Sequence, residues 1–240
     1  MYRKPDRDTL GFDENRAKPH TCAGHRLSNL TLHINTLAEH LLDMDGSRIL
    51  IAVTGAPGCG KSTLASELAR RLNAQRLKSI VVPMDGFHLD NEILQSRGLT
   101  QRKGAPETFD APGFIRLIKA LKTGDEVFAP VFDRTRDIAI AGAVAVPADA
   151  KIVIVEGNYL MFDADPWSEL ASLWDVTARL DVPMPELRAR LIHRWLSLNH
   201  SRAVATRRAE SNDIPNAQRV IDLALPCDFT LDGQPRTAAT

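Results

Sequence analysis

Eight consecutive residues constrain this chain more than any others: Gly55, Ala56, Pro57, Gly58, Cys59, Gly60, Lys61 and Ser62. They spell G-x-x-x-x-G-K-S, the P-loop pattern. The short apolar run Ile49–Val53 precedes them and reads as a buried strand. Behind them Leu64, Leu68 and Leu72 recur every four residues, as on one face of a helix. Strand, glycine loop and helix are the setting that the motif requires. The chemistry follows from the spacing. Glycines let the backbone turn tightly and bring its N–H groups onto phosphate oxygens. The helix beginning near Lys61 adds the positive end of its dipole. The Lys61 ammonium reaches the β- and γ-phosphates of a nucleoside triphosphate, and the Ser62 hydroxyl can ligate Mg²⁺. The stretch assigned to ATP is therefore Gly55–Ser62 together with Thr63, and Cys59 is read as a tolerated small residue within it.

The remainder of the chain predicts an α/β protein. Ser79–Pro83, Ile138–Val146, Lys151–Glu156 and Ala178–Val182 read as strands, the third being strongly β-branched. Residues 28–43 read as a helix closed by Asp45-Gly46. Phe114–Leu121 reads as another with Asp110 as N-cap, and a third opens at Pro183 and Pro185 and runs through Leu198. Gly104–Asp110 and the segment Pro130–Arg134 read as loops. Alternating strands and helices predict a mostly parallel sheet with helices on both faces. Residues 1–27 are expected to form a flexible tail and residues 28–240 a single domain.

Composition excludes several partners. Thirty Lys and Arg balance thirty Asp and Glu, which argues against a general binder of nucleic acid or membrane surface. No apolar run approaches the length of a membrane span. Cys22, Cys59 and Cys227 are distant and odd in number, which fits a reducing cytoplasm better than a disulfide framework or zinc site.

In parallel sheets ligands sit at the carboxyl ends of the strands. The P-loop, Asp85, Glu156 and an arginine-bearing helix all fall there, which predicts one shared active site. Asp85 can accept the proton of an attacking hydroxyl. Glu156 can hold Mg²⁺, with Ser62, or bind a substrate hydroxyl. Phe87, His88 and Tyr159 are candidates to line the acceptor pocket, Arg102 and Lys103 to contact it from a basic loop, and Asp133 to accept hydrogen bonds from sugar-like hydroxyls. Arg190 and Arg194, four apart, are expected to close over the phosphates as a lid.

Taken together, these residues resemble the P-loop kinase family that contains uridine kinase, phosphoribulokinase and bacterial pantothenate kinase. The resemblance runs from about residue 30 to about 232. It is strongest to a bacterial subgroup labelled nucleoside/nucleotide kinase or fructose transport-system kinase. The subgroup's matches are Gly55–Ser62, Met84–His88, Arg102–Asp110, Pro130–Arg134, Val155–Tyr159 and Asn212–Asn216. The resemblance implies a three-layer α/β/α fold with a five-stranded sheet and a helical lid, ATP–Mg²⁺ as donor, and Asp85 as catalytic base. Uridine kinases place Tyr where this chain has His88, which weighs against a nucleoside. The loop Lys103–Glu107 is similar to that of pantothenate kinase. The expected reaction is phosphoryl transfer to an alcohol, with a sugar such as fructose first, a nucleoside second, and pantothenate or glycerate third. The rival is an ATPase or nucleotide switch with no metabolite acceptor.

Overall fold

The computed structural model describes residues 23–233. Helix α1 spans Ala23–Leu42, strand β1 Ile49–Thr54, helix α2 Lys61–Ala74 and strand β2 Ser79–Pro83. A single 3₁₀ turn, Met84–Phe87, leads to the short helix α3, Asn91–Ser96, and to α4, Ala111–Lys122. Strands β3 (Val127–Asp133), β4 (Ile138–Val146), β5 (Ile152–Gly157) and β6 (Val176–Asp181) follow. Helices α5 (Met184–Ser197), α6 (Arg202–Arg208) and α7 (Ile214–Asp222) precede the last strand, β7, Phe229–Asp232.

Five strands form one sheet in the order β2-β5-β1-β6-β7, with every neighbouring pair parallel. Helices cover the sheet to complete a three-layer α/β/α architecture. Strands β1 and β5 lie in its interior and are buried at every residue, so their sequences are near-continuous apolar runs rather than alternating ones. Leu64, Leu68 and Leu72 of α2 are all fully buried. Asp110 caps α4 by accepting from the Gly113 amide at 2.9 Å, with Pro112 in the first turn, where its missing N–H costs nothing.

Four expectations need correction. The first helix begins at Ala23, so the expected tail of residues 1–27 overlaps it by five residues, and the rest of that tail lies outside the described residues. The segment Pro130–Arg134 is not a loop: it completes β3 as far as Asp133, with an irregularity between Ala129 and Val131 where Pro130 has no N–H to give. Strand β4 lies outside the main sheet, pairing antiparallel with β3 as a separate two-stranded ribbon. The fifth strand of the main sheet is instead β7, a four-residue edge strand.

One buried charge pins the end of the sheet opposite the P-loop. Arg48, at the entrance to β1, donates to five backbone carbonyls: Ala150 (3.2 Å), Leu121 (3.0 Å), Asp125 (3.0 Å), Gly124 (3.2 Å) and Pro147 (2.8 Å). All five donors of the planar guanidinium are used, joining the end of α4 to the turn between β4 and β5.

Candidate active site

Parallel register brings the functional groups together. Glu156 at the end of β5 is paired on one side with Pro83 of β2 and on the other with Val53 of β1. The 3₁₀ turn bearing Asp85 leaves the first neighbour, and the P-loop leaves the second. A cavity of about 1290 Å³ opens over these strand ends; Gly58, Lys61, Ser62, Asp85, Glu156 and Arg194 all line it.

The P-loop is shaped by its glycines. Gly60 adopts a left-handed conformation (φ 105°) immediately before the first residue of α2. At Gly55 (φ 143°) a Cβ would stand 2.7 Å from the Leu180 carbonyl oxygen of β6, so only glycine lets the loop pass that close. The Lys61 ammonium donates to the Ala56 carbonyl at 3.0 Å and is buried. The Ser62 hydroxyl donates to Glu156 Oε1 at 3.0 Å. Burial pushes the Glu156 carboxyl above the usual range, with the Lys61 charge opposing. Together Ser62 and Glu156 present the hard oxygen donors that suit Mg²⁺ beside a phosphate cradle.

Asp85 is half-buried and paired: Arg134, one residue beyond β3, donates to its Oδ2 at 2.7 Å. Arg194 lies on the cavity wall within electrostatic range of Arg134, Asp213 and Asp85. Arg190 is placed differently from the expected lid. Its guanidinium donates to the Cys59 carbonyl (3.2 Å), the Gly58 carbonyl (3.4 Å) and Glu186 (2.9 Å), so it braces the P-loop backbone rather than covering the cavity.

The acceptor-side candidates divide. His88 and Lys103 line the cavity. The His88 ring packs against Phe109 (4.0 Å between centroids) and Phe132 (4.5 Å), and its Nδ1 is 2.7 Å from the Asp85 carbonyl. A carbonyl only accepts, so Nδ1 carries the proton. Burial lowers the His88 pKa, against the opposing charge of Asp85. Lys103 is tied to Asn91 (2.7 Å) and Asp137 (2.9 Å) and sits 5.0 Å over the Phe132 ring.

Phe87, Arg102, Asp133 and Tyr159 do not line the cavity. Phe87 packs edge-on against Phe114 of the core. Arg102 pairs with Glu107 at 3.4 Å. Asp133 spends both oxygens on its own hairpin turn, accepting from the Thr135 and Arg136 amides and the Arg136 side chain. Tyr159 is fully buried, and its hydroxyl donates to the Gly104 carbonyl at 2.6 Å, fixing the loop that carries Lys103. Sequence reasoning passed over Arg134, Asn91, Trp195 and Asn216, which do line the cavity. The signal for Arg134 was its place in Phe132-Asp133-Arg134; for Asn216 it was the four-residue spacing from Asn212.

Comparison with known proteins agrees with this geometry. The profile of the Phosphoribulokinase / Uridine kinase family matches residues 50–194, more than half of the chain. A provisionally named uridine kinase of Schizosaccharomyces pombe, C227.14, is 37% identical over 179 residues, covering 70% of this chain and 76% of its own. A pantothenate kinase of Halalkalibacterium halodurans is 38% identical over 114 residues, which is 46% of this chain and 36% of its own length. The crystal structure of a provisionally named fructose transport system kinase from Silicibacter sp. TM1040 superposes with a TM-score of 0.79 at 51% identity, covering 84% of this chain and 98% of that one. The chain therefore belongs to the Phosphoribulokinase / Uridine kinase family and is an ATP-dependent kinase acting on an alcohol hydroxyl.

Proposed function

We propose that this kinase phosphorylates a hydroxyl group of a small sugar-like metabolite, with ATP–Mg²⁺ as donor. The observation that carries the reading is the register of β2, β5 and β1, which sets Asp85, Glu156 and the P-loop side by side at one cavity. In this reading the P-loop amides and Lys61 hold the β- and γ-phosphates. Mg²⁺, when bound at Ser62 and Glu156, neutralises charge on those phosphates. Asp85 orients the acceptor hydroxyl and takes its proton at a carboxylate oxygen, while Arg134 positions that carboxylate. Arg194 faces the transferring group and stabilises its charge. Arg190 keeps the P-loop backbone in shape from outside the cavity.

The aromatic groups support a sugar over a nucleoside. A nucleobase needs an open π-face to stack on. Phe109 and Phe132 pack against the His88 ring, while Lys103 lies over the Phe132 ring and Arg208 over the Trp195 ring, so fewer aromatic faces on the cavity are open to a base. The description carried by the Silicibacter relative, at 51% identity, also puts a sugar first. The test is ADP release with Mg-ATP against fructose and other sugars, nucleosides, pantothenate and glycerate. Stimulation by a sugar is the expected result. Stimulation by a nucleoside would overturn the acceptor assignment, and steady acceptor-independent hydrolysis would favour an ATPase or switch.

A further inference from the structure

The end of α5 that carries Arg194 has little core packing to hold it. Leu187 and Leu191 are buried, but beyond Leu191 no residue of this helix is. A contact with the segment after α6 holds the last turn instead. The Trp195 indole Nε1 donates to Asp213 Oδ2 at 2.5 Å, and the Arg208 guanidinium lies 4.9 Å over the Trp195 ring.

Asp213 itself stands on an anchored turn. It is the last residue of a π-helical turn, Ala209–Asp213, that joins α6 to α7. Such turns are rare and recur at functional sites. In this one Asn212 donates to the Lys103 carbonyl at 2.8 Å, and Glu210 pairs with Arg188 of α5 at the surface.

Arg194, Trp195, Arg208 and Asp213 all line the cavity. Both arginines lie within electrostatic range of Asp213, yet neither makes a direct ion pair among the described residues, so both guanidiniums are available to phosphate. Successive residues of a helix point about 100° apart, so a bond that fixes Trp195 about the helix axis also fixes the direction of Arg194.

We propose that Asp213 is a positioning residue: by accepting from Trp195 it sets the roll of the last turn of α5 and points Arg194 at the γ-phosphate. This inference rests on the kinase reading above.

The test is titration calorimetry on the full chain with Mg²⁺ and either ADP or the β,γ-imido analogue of ATP, a pair of probes that isolates the γ-phosphate. Arg194→Ala and Asp213→Ala are each expected to weaken the analogue about 10-fold and to leave ADP within about twofold. Asp213→Asn keeps an acceptor for Nε1 and should stay within about threefold of the wild type. Trp195→Phe loses the donor and should match Asp213→Ala. In the Arg194→Ala background, Asp213→Ala should cost nothing further, because both changes remove the same contact. A merely structural role would weaken ADP and the analogue together, and its cost would persist in that background; either result overturns the proposal. Tighter analogue binding by Asp213→Ala overturns it too, since the carboxylate would then only compete with phosphate for the arginines. So does a loss in Asp213→Asn equal to that in Asp213→Ala, which would assign the effect to charge rather than to the bond. A wild type that binds neither nucleotide would refute the kinase reading itself.

Discussion

Replacing Gly86 by alanine tests whether close packing of two backbone segments sets the chemistry. An added Cβ would stand 2.4 Å from the Pro130 carbonyl oxygen and 2.6 Å from its carbon. Real Cβ atoms do not approach within 3.0 Å, so the 3₁₀ turn and β3 must part by at least 3.0 − 2.4 = 0.6 Å. Neither contact atom is a side chain that can swing away. The turn carries Asp85 and the ribbon carries Phe132 and Arg134, so the separation acts directly on the Asp85–Arg134 pair. Overpacking of this kind costs about 1–3 kcal/mol, and each kcal/mol lowers Tm by about 2–4 °C at this chain length. A misplacement of about 1 Å at a reacting centre can cost about 10²-fold in rate, so kcat should fall about 10–100-fold. The P-loop is not touched, and nucleotide Kd should stay within about twofold of the wild type. Steady-state ADP release, nucleotide titration and a thermal melt measure the three quantities. Wild-type kcat in Gly86→Ala would refute the reasoning, as would loss of nucleotide binding by a variant that remains folded.

Asp85→Asn should retain ATP binding and lose about 10²–10⁴ in kcat, measured with the acceptor that stimulates the wild type. Glu156→Gln should raise the Mg²⁺ concentration needed for half-maximal activity and raise Tm near pH 7–8. Burial lifts the Glu156 pKa, so above the ordinary carboxylate range the fold holds a proton that the unfolded chain has released. Stability from this group therefore falls as pH rises through that window, and the Tm gain of the variant should disappear in acid. Arg48→Lys should cost about 2–4 kcal/mol in denaturant unfolding, because three ammonium donors cannot serve five carbonyls, with activity per folded molecule unchanged. Arg190→Ala should raise KM for ATP several-fold and leave the acceptor KM alone, since its partners are P-loop carbonyls.

The parts of the fold legible in the sequence were those whose signal is local. Continuous burial wrote β1 and β5 as unbroken apolar runs, and a four-residue leucine repeat marked α2. Asp110 announced its helix through an acidic residue followed by proline. Strand β7 was not legible because it is four residues long, on an edge, with Asp232 at its end. Pro130 disguised β3 as a loop, although a two-stranded ribbon tolerates proline where no ladder bond is required. For the candidate site, residue type alone could not tell where a side chain points. Asp133 and Tyr159 have the chemistry of substrate contacts, but the first closes its own turn and the second secures a loop from inside the core. Asp213 sits in the matched segment Asn212–Asn216, but its bond to Trp195 emerges only once α5 and the π-helical turn are seen together.

The β3–β4 ribbon stands outside the five-stranded sheet, while the nucleotide end of the cavity grows from the sheet's interior strands. In the reading proposed above, the phosphates meet the interior strand ends, while the ribbon brings Phe132 and Arg134 to the same cavity. Substitutions in β1 or β5 disturb the common core, as do those at Ala129 and Val146 of the ribbon, whereas exposed positions of β4 such as Ala139, Ala141 and Ala145 meet fewer packing constraints. On that proposal, a lineage would exchange one alcohol for another at the exposed ribbon while inheriting its phosphate chemistry intact. That division gives a physical reason why relatives sharing this architecture bear the names of such dissimilar acceptors.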